Sequence, residues 1–195
     1  MSVGYKGDSV FNTPSADFIP TLKIKDNSSV VLRFTTPLSE FTGALVHYPK
    51  NYEGKTRMYV CLNQRGGTND CPLCDMGDKQ KPQAAAVVLN REPDSEDAVV
   101  AVFTFGKMIS EQLRGLEEAY GDTLDNYDVK ISTKGSMLTK KYTAVVLPKY
   151  TYPMSDSDME LATSISLDNF YVLKTRQQIL DEVNGVQAES GSLPF

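Results

Sequence analysis

The single histidine of this 195-residue chain and its three cysteines fall within a short stretch, at His47, Cys61, Cys71 and Cys74. Three thiolates and one imidazole form a complete tetrahedral ligand set for Zn²⁺, which leaves no position for a reactive water. Cys71 and Cys74 form a C-x2-C pair, and this spacing lets two sulfur atoms bind one ion from a tight turn. The pattern therefore predicts one zinc ion with a structural role and no catalytic metal site.

Two other interpretations of the cysteines stay open. Buried free thiols behave as small hydrophobic residues, and a disulfide between Cys61 and Cys71 would leave Cys74 unpaired. Residues 1–8 contain no apolar signal segment, which disfavours a secreted protein with disulfides. No apolar stretch approaches the ~20 residues that span a bilayer. We therefore expect a cytoplasmic protein that binds zinc and does not enter a membrane.

The distribution of charge is more informative than the formal net charge of -5. Residues 154–195 contain seven acidic and two basic side chains, whereas residues 21–91 contain ten basic and six acidic ones. A positive segment followed by an acidic C-terminal part is an asymmetry typical of proteins with a polyanionic partner. Ordinary solvated surface explains the same positive excess, so charge alone does not decide the partner.

The hydrophobic pattern predicts a mainly β chain. Strands are expected at 30–34, 44–48, 57–62, 84–89, 98–105, 127–131 and 142–147. Apolar residues at helical spacing from Ile109 to Tyr120 predict the main helix, and Gly121 follows in the position of a C-terminal cap. A shorter helix is expected over 177–184, after the capping residue Thr175.

Short strands, a metal-binding loop and one main helix fit a five-stranded Greek-key barrel of the oligonucleotide-binding (OB) type. A β-sandwich with a decorating helix fits nearly as well. We expect a flexible arm at 1–20, a core at 21–153 with a zinc subdomain at about 44–80, and an acidic C-terminal segment at 154–195 with a short helix. If the strands that end at His47 and Cys61 pair, the ligands meet at one edge of the sheet.

Basic and aromatic side chains alternate at several places, as in proteins that stack bases on aromatic rings beside a basic groove. The candidate DNA-binding residues are Tyr48, Lys50, Tyr52, Lys55, Arg57 and Tyr59 around the first hairpin, Phe103 and Lys107 before the main helix, and Lys140, Lys141, Tyr142, Tyr150 and Tyr152 around the last strand. Strand packing explains Phe103 equally well, because phenylalanine is a good strand former.

The last three residues, Leu193, Pro194 and Phe195, form a candidate protein-binding tail. A C-terminal phenylalanine offers a ring and a carboxylate together to a partner pocket. The sequence contains no G-x-x-x-x-G-K-[ST] or G-x-G-x-x-G motif and no second histidine to act as a general base. Zinc deaminases need an H-x-E motif, and the residues after His47 lack the glutamate. We therefore do not expect an enzyme.

The ligand order, with ten residues from Cys61 to Cys71, resembles the zinc-containing single-stranded DNA-binding proteins of T-even-like phages. The resemblance extends over about residues 20–153, and the segments that carry it are 22–25, 31–34, 70–74 and 103–107. It implies an OB fold with an inserted zinc subdomain and a DNA cleft between them. It also implies a basic cluster at Lys79 and Lys81, a DNA-facing ring at Phe103, and an aromatic pair at Tyr150 and Tyr152.

Two departures from that family concern the ends of the chain. Residues 1–20 contain Lys6 as their only basic residue, so the family's basic N-terminal module is not visible. The Leu-Pro-Phe end is similar to the Ile-Pro-Phe tail of bacterial single-strand-binding proteins, with Glu189 as its one acidic neighbour.

The expected function is coating and protection of single-stranded DNA, largely independent of sequence, during phage replication, recombination and repair in the host cytoplasm. The tail would recruit replication and recombination proteins. The alternative is a zinc-stabilised β-domain that acts as a protein–protein adaptor through its C-terminal tail.

Overall fold

The structure, a computed structural model, describes residues 21–64, 67–91, 99–136, 139–147, 155–168 and 170–185. Within these ranges the protein is mainly β, with eight strands in one mixed sheet and four α-helices. The predicted residues that lie outside them are the arm at 1–20, Tyr150, Tyr152, and the tail residues Leu193, Pro194 and Phe195. None of the described helices is long and apolar enough to cross a membrane.

The strands are β1 Thr21–Leu22, β2 Ser29–Phe34, β3 Thr42–His47, β4 Tyr59–Val60, β5 Lys81–Arg91, β6 Val99–Gly106, β7 Asp128–Lys134 and β8 Lys141–Val146. The α-helices are α1 Pro72–Asp75, α2 Lys107–Tyr120, α3 Asp156–Thr163 and α4 Arg176–Asn184. Two short 3-10 helices lie at Leu38–Glu40 and Leu124–Asn126.

The strand order is β1-β6-β5-β2-β7-β8, and β3 pairs with both β4 and β5. β1 is parallel to β6, and the other pairs are antiparallel. β5, the longest strand, pairs with β3 through residues 81–85 and with β2 through residues 88–91, while β6 lies along its other edge. β5 therefore connects the β3–β4 hairpin to the rest of the sheet.

The main hydrophobic core lies between the sheet and α2. Ile109 and Leu113, one turn apart on α2, are buried in one cluster with Leu32 and Phe34 of β2. The α2 helix ends at Gly121, as the sequence predicts, in the left-handed region with φ of 65°. Such a φ suits glycine because it has no Cβ to clash with the backbone.

Tyr120 departs from the predicted apolar face of α2. It lies at the last position of the helix and is 53% exposed. Its ring packs against the ring of Tyr127 at 5.5 Å between centroids. The buried face therefore ends about one turn earlier than the sequence spacing indicates.

The predicted strands are present, with two clear changes in length. The strand expected at 57–62 is reduced to Tyr59–Val60. An isolated antiparallel β-bridge between Lys50 and Thr56 closes the hairpin loop just before it. The strand expected at 84–89 extends over Lys81–Arg91, because its first residues pair with β3.

The C-terminal part returns to the sheet in two helices. The short helix expected from Thr175 is α4, whose first turn has a capping box formed by Thr175 and Gln178. The helix α3, which begins with a capping box of Ser155 and Asp158, is not among the elements predicted from the sequence. Ala162 of α3 packs in a small cluster with residues of β5 and β6, so the helix covers the outer face of these strands.

Candidate metal centre and candidate nucleic-acid groove

His47, Cys61, Cys71 and Cys74 lie together, with one ligand atom from each residue within 4.8 Å of all the others. His47 Nε2 lies 3.6 Å from Cys71 Sγ and 3.5 Å from Cys74 Sγ. Cys61 Sγ lies 3.6 Å from Cys74 Sγ. The four side chains could therefore bind one metal ion, which is the juxtaposition that the sequence predicts.

Strand pairing brings the first two ligands together. His47 is the last residue of β3, and Cys61 directly follows β4. The two strands pair as His47 with Tyr59 and Val46 with Val60, and the N–H of Cys61 donates to the carbonyl of Leu45 at 2.8 Å. His47 and Cys61 therefore occupy diagonal positions at this edge of the sheet, as expected from the sequence.

The C-x2-C pair is held by the short helix α1. Cys71 is its N-terminal cap residue, Pro72 occupies the first turn, and Cys74 follows within the helix. Pro72 suits this position because its fixed φ matches the helix and its missing N–H has no partner there. The Asn63 side chain accepts a hydrogen bond from the N–H of Cys71 at 2.9 Å and ties the turn to the end of the hairpin.

Asp78 supports the histidine from its other side. His47 Nδ1 lies 3.4 Å from Asp78 Oδ1, and the imidazole is fully buried. A carboxylate in this position holds the proton on Nδ1 and leaves Nε2 free for a metal. Asp78 is not predicted from the sequence, because an acidic residue four positions after a C-x2-C pair matches no recognised motif.

The thiols differ in their tendency to ionise. Burial raises the pKa of Cys61 and raises the pKa of Cys74 to about 12. Burial opposes ionisation of Cys71 too, but backbone N–H groups of Leu62, Cys74 and Leu73 outweigh it and lower its pKa. In the absence of a cation, Cys61 and Cys74 are therefore protonated at neutral pH, and a bound metal would displace those protons.

The helix α4 covers this cluster. Ile179 is fully buried in a second hydrophobic cluster that contains Cys61, Cys71 and Leu73. The amine of Lys174, just before α4, lies 5.6 Å from the centre of the Tyr59 ring. The predicted C-terminal segment thus supplies part of the packing around the metal ligands.

Two neighbouring cavities of about 540 Å³ and 580 Å³ lie on the sheet beside α2. They share Gln83, Phe105, Gly106 and Lys107, and we refer to them together as the sheet groove. Residues of the sheet groove come from β1, β3, β5, β6 and β8, from the first turn of α2, and from the segments after β1, after β4 and before β8. They include Lys23, Lys107, Lys140, Phe103, Tyr142, Gly43 and Ala84.

Four of the predicted DNA-binding residues line the sheet groove: Phe103, Lys107, Lys140 and Tyr142. The Lys107 side chain is 75% exposed, and its amine lies 3.5 Å from a carboxylate oxygen of Glu111. The Lys140 side chain, in contrast, is 17% exposed. Phe103 is buried and stacks on Phe105 at 5.2 Å. The Phe103 ring therefore belongs to the floor of the groove and offers little surface to a base.

The predicted hairpin residues are not among the described residues that line the sheet groove, although Tyr48 contacts Gln83 beside it. Among them, Lys50, Tyr52, Lys55 and Arg57 are exposed. Tyr59 is 3% exposed and packs in the cluster under α4, so its ring is not at the surface.

The remaining predicted residues lie near the start of β5 and of β8. Tyr48 is half-buried, its hydroxyl accepts a hydrogen bond from the Gln83 amide at 2.6 Å, and the amine of Lys81 lies 5.9 Å from its ring centre. Burial raises the pKa of Tyr48. Lys79, Lys81 and Lys141 are exposed.

Comparison of the chain with protein-family models, with curated proteins and with solved structures finds no match. A functional assignment therefore depends on the geometry and chemistry of these two sites.

Proposed function

We propose that the protein binds single-stranded DNA along the sheet groove. One observation carries the proposal. The described residues that line the groove include three lysines, Lys23, Lys107 and Lys140, and no acidic residue. The chain as a whole has a net charge of -5, whereas lysines are the only charged residues among the described residues of this lining. The carboxylates that pair with Lys107 and Lys140, those of Glu111 and Asp26, lie beside the groove and not in its lining. Such a groove attracts a phosphate backbone.

The shape of the groove suits an unpaired strand. Its floor contains the small residues Gly43, Ala44 and Gly106, so a flat base can approach the backbone of the sheet. The half-buried ring of Tyr142 lies along it and supplies apolar surface, whereas Phe105, like Phe103, is buried and belongs to the floor. Proteins that bind single strands without reading sequence combine these two features, a cationic path and aromatic faces for stacking.

The strand order supports an OB barrel as the fold beneath this groove. In the order β6-β5-β2-β7-β8, these strands would be the third, second, first, fourth and fifth of the barrel, with α2 between the third and fourth. OB folds bind oligonucleotides on the second and third strands and with the loops between strands 1 and 2 and strands 4 and 5. Here β5 and β6 line the groove, the metal cluster precedes β5, and Lys140 precedes β8.

We further propose that the metal is zinc with a structural role. Tetrahedral zinc with Zn–S near 2.3 Å and Zn–N near 2.05 Å places sulfur atoms roughly 3.8 Å apart and sulfur and nitrogen roughly 3.6 Å apart. The distances of 3.5 to 3.6 Å among His47, Cys61, Cys71 and Cys74 are close to these values. Four protein ligands leave no open position, so the ion would hold the hairpin and α1 together.

The resemblance of the ligand pattern to T-even-like phage proteins extends the proposal to a biological role. The protein would coat single-stranded DNA in phage replication, recombination and repair in the cytoplasm of the host cell. Leu193, Pro194 and Phe195 would recruit partner proteins.

Fluorescence anisotropy with labelled oligo-dT and with the matching duplex tests the proposal. We expect binding to the single strand and much weaker binding to the duplex, with an affinity that falls as salt rises. Lys107→Gln should weaken binding, whereas Lys134→Gln, an exposed lysine outside the groove, should change it little. Equal affinity for both forms of DNA, or no affinity for the single strand, would exclude the proposed function.

A further inference from the structure

Lys140 makes contacts that distinguish it from the other lysines of the sheet groove. Its amine donates to the carbonyl of Ile24 at 2.7 Å and lies 3.0 Å from a carboxylate oxygen of Asp26. The same amine lies 5.6 Å from the centre of the Tyr142 ring. An ammonium group has three donors, and protein groups already occupy at least two of them.

Tyr142 is held from its other side by α2. Gln112 donates through Nε2 to the carbonyl of Tyr142 at 3.0 Å and accepts through Oε1 from the N–H of Ala144 at 2.8 Å. The side chain of Tyr142 is half-buried, packs against the main core and lines the groove. The backbone is therefore fixed by Gln112, and the ring lies beside the fixed amine of Lys140.

We propose that Lys140 is a positioning residue that holds the Tyr142 ring at the wall of the sheet groove as a stacking surface and does not itself contact phosphate. The proposal rests on the proposed binding of single-stranded DNA. A ring fixed before binding loses less conformational entropy when a base stacks on it. A lysine amine that contacts phosphate would instead have to leave Ile24 and Asp26 first.

The hydrogen bond from Lys140 to Asp26 raises the pKa of the lysine, with opposition from burial. The amine is therefore charged at neutral pH and continues to pair with Asp26 and to face the tyrosine ring. A cation over an aromatic face is attracted by the ring quadrupole, which favours this one arrangement of Tyr142.

The salt dependence of binding separates a positioning lysine from a phosphate contact. Each phosphate contact contributes roughly 0.7 to the slope of log affinity against log salt for single strands. Lys140→Met should lower affinity for oligo-dT with an unchanged slope, whereas Lys107→Gln should reduce the slope by roughly 0.7. Tyr142→Ala should lower affinity by roughly 5- to 150-fold, the range for loss of one stacked base.

Asp26→Asn separates the two explanations most clearly, because a pure charge effect and a positioning effect would change the DNA affinity in opposite directions. Removal of a negative charge beside the groove should raise DNA affinity if charge alone matters. If Asp26 holds Lys140 and thereby Tyr142, the same change should lower affinity. Lys140→Arg can keep the bonds to Ile24 and Asp26 and should restore binding toward the wild-type value.

The experiment uses the full chain with metal bound and labelled oligo-dT, titrated by anisotropy at several salt concentrations, with thermal unfolding of each variant as a check of folding. Lower affinity of Lys140→Met and Asp26→Asn at an unchanged slope supports the inference. A slope reduced by roughly 0.7 in Lys140→Met, an affinity raised by Asp26→Asn, or no effect of Tyr142→Ala overturns it. Absence of oligo-dT binding by the wild-type protein would instead overturn the proposed function.

If Lys140→Met does not fold, the pair Asp26→Asn and Tyr142→Ala decides the question. Asp26 is about half exposed, so its replacement by the isosteric amide is compatible with the fold. Higher affinity in Asp26→Asn then overturns the inference, and lower affinity in both variants supports it.

Discussion

Arg176 Nη1, at the start of α4, lies 2.6 Å from Oδ1 of Asp70, the residue immediately before the candidate ligand Cys71. The same nitrogen, Nη1, lies 2.8 Å from Asp75, the residue immediately after Cys74. One guanidinium group thus joins both ends of the C-x2-C turn, although it lies about a hundred residues away in the sequence. The C-terminal helix and the candidate metal centre form one packing unit.

Replacement of Arg176 should loosen that unit. We expect Arg176→Gln to release its metal to a chelator faster than the wild type, because the turn that carries Cys71 and Cys74 loses its external support. The rate of colour change with a metal-binding dye measures this release. Gln177→Ala, an exposed position on the same helix, is the matched control. Equal release rates for all three proteins would show that α4 does not restrain the turn.

Gly185 should be sensitive to replacement by alanine for two separate reasons. It ends α4 with φ of 78°, and a Cβ added there would lie 2.5 Å from Cγ of Tyr52. Gly121 ends α2 with φ of 65°, and a Cβ there would meet nothing within 4 Å. Both alanine variants pay the cost of about 1–2 kcal/mol for left-handed backbone.

Gly185→Ala should therefore destabilise the protein more than Gly121→Ala, because only the first change also displaces the Tyr52 ring. Chemical denaturation of the two variants measures the difference in free energy of unfolding. A difference of zero would mean that the end of α4 does not rest on Tyr52. Gly185→Ala should also alter tyrosine fluorescence, since the environment of the exposed Tyr52 ring changes.

The sequence predicts the four candidate metal ligands because their types are rare in this chain and their spacing is short-range. His47 and the three cysteines have no competing use, and the C-x2-C spacing is a local geometric property. The ends of α2 and α4 are predicted for the same reason. A glycine at a C-terminal cap and a capping threonine at an N-terminus, here Thr175, act within one turn of the chain.

Contacts between distant segments are not predictable from these local patterns. The pairing of Arg176 with Asp70 and the burial of Ile179 depend on where α4 returns to the sheet. The burial of Tyr59 is unpredictable for the same reason. The alternation of residues along a strand does not tell which of its two faces another element, here α4, will cover. The helix α3 is not predicted by apolar periodicity, because only Ala162 of its residues is buried.

A buried ion pair in the sheet gives a stability prediction. Arg33 of β2 and Asp128 of β7 are register partners, and Nε lies 2.7 Å from Oδ1 with both side chains almost fully buried. Asp128→Ala removes one carboxylate partner of a buried guanidinium, which should cost about 3–5 kcal/mol. For a chain of this size the midpoint of thermal unfolding should fall by roughly 6–20 °C.

The double variant Arg33→Met with Asp128→Leu should be less destabilised than Asp128→Ala alone, because it removes both charges from the interior. Differential scanning calorimetry on the three proteins measures this order. A single variant as stable as the wild type would show that the pair contributes nothing to folding.

Metal uptake should depend steeply on pH. The pKa values of the Cys61 and Cys74 thiols are raised by burial in the metal-free protein, so both carry a proton at pH 7. A metal binds thiolates and must displace these protons. We therefore expect release of about two or more protons per ion, with log affinity rising by about two or more for each pH unit between pH 5 and 7.

The direction of this pH dependence follows from the number of protons that each state binds. Because the metal-free state binds more protons than the metal-bound state, acid favours the metal-free state and the stabilisation by metal is lost as pH falls. Calorimetric titration with zinc in buffers of different ionisation enthalpy counts the protons released. Cys74→Ser should release about one proton fewer and bind zinc more weakly, whereas Met76→Ser, at an exposed position just after α1, should behave as the wild type. Uptake without proton release would show that the ion is not held by these thiolates.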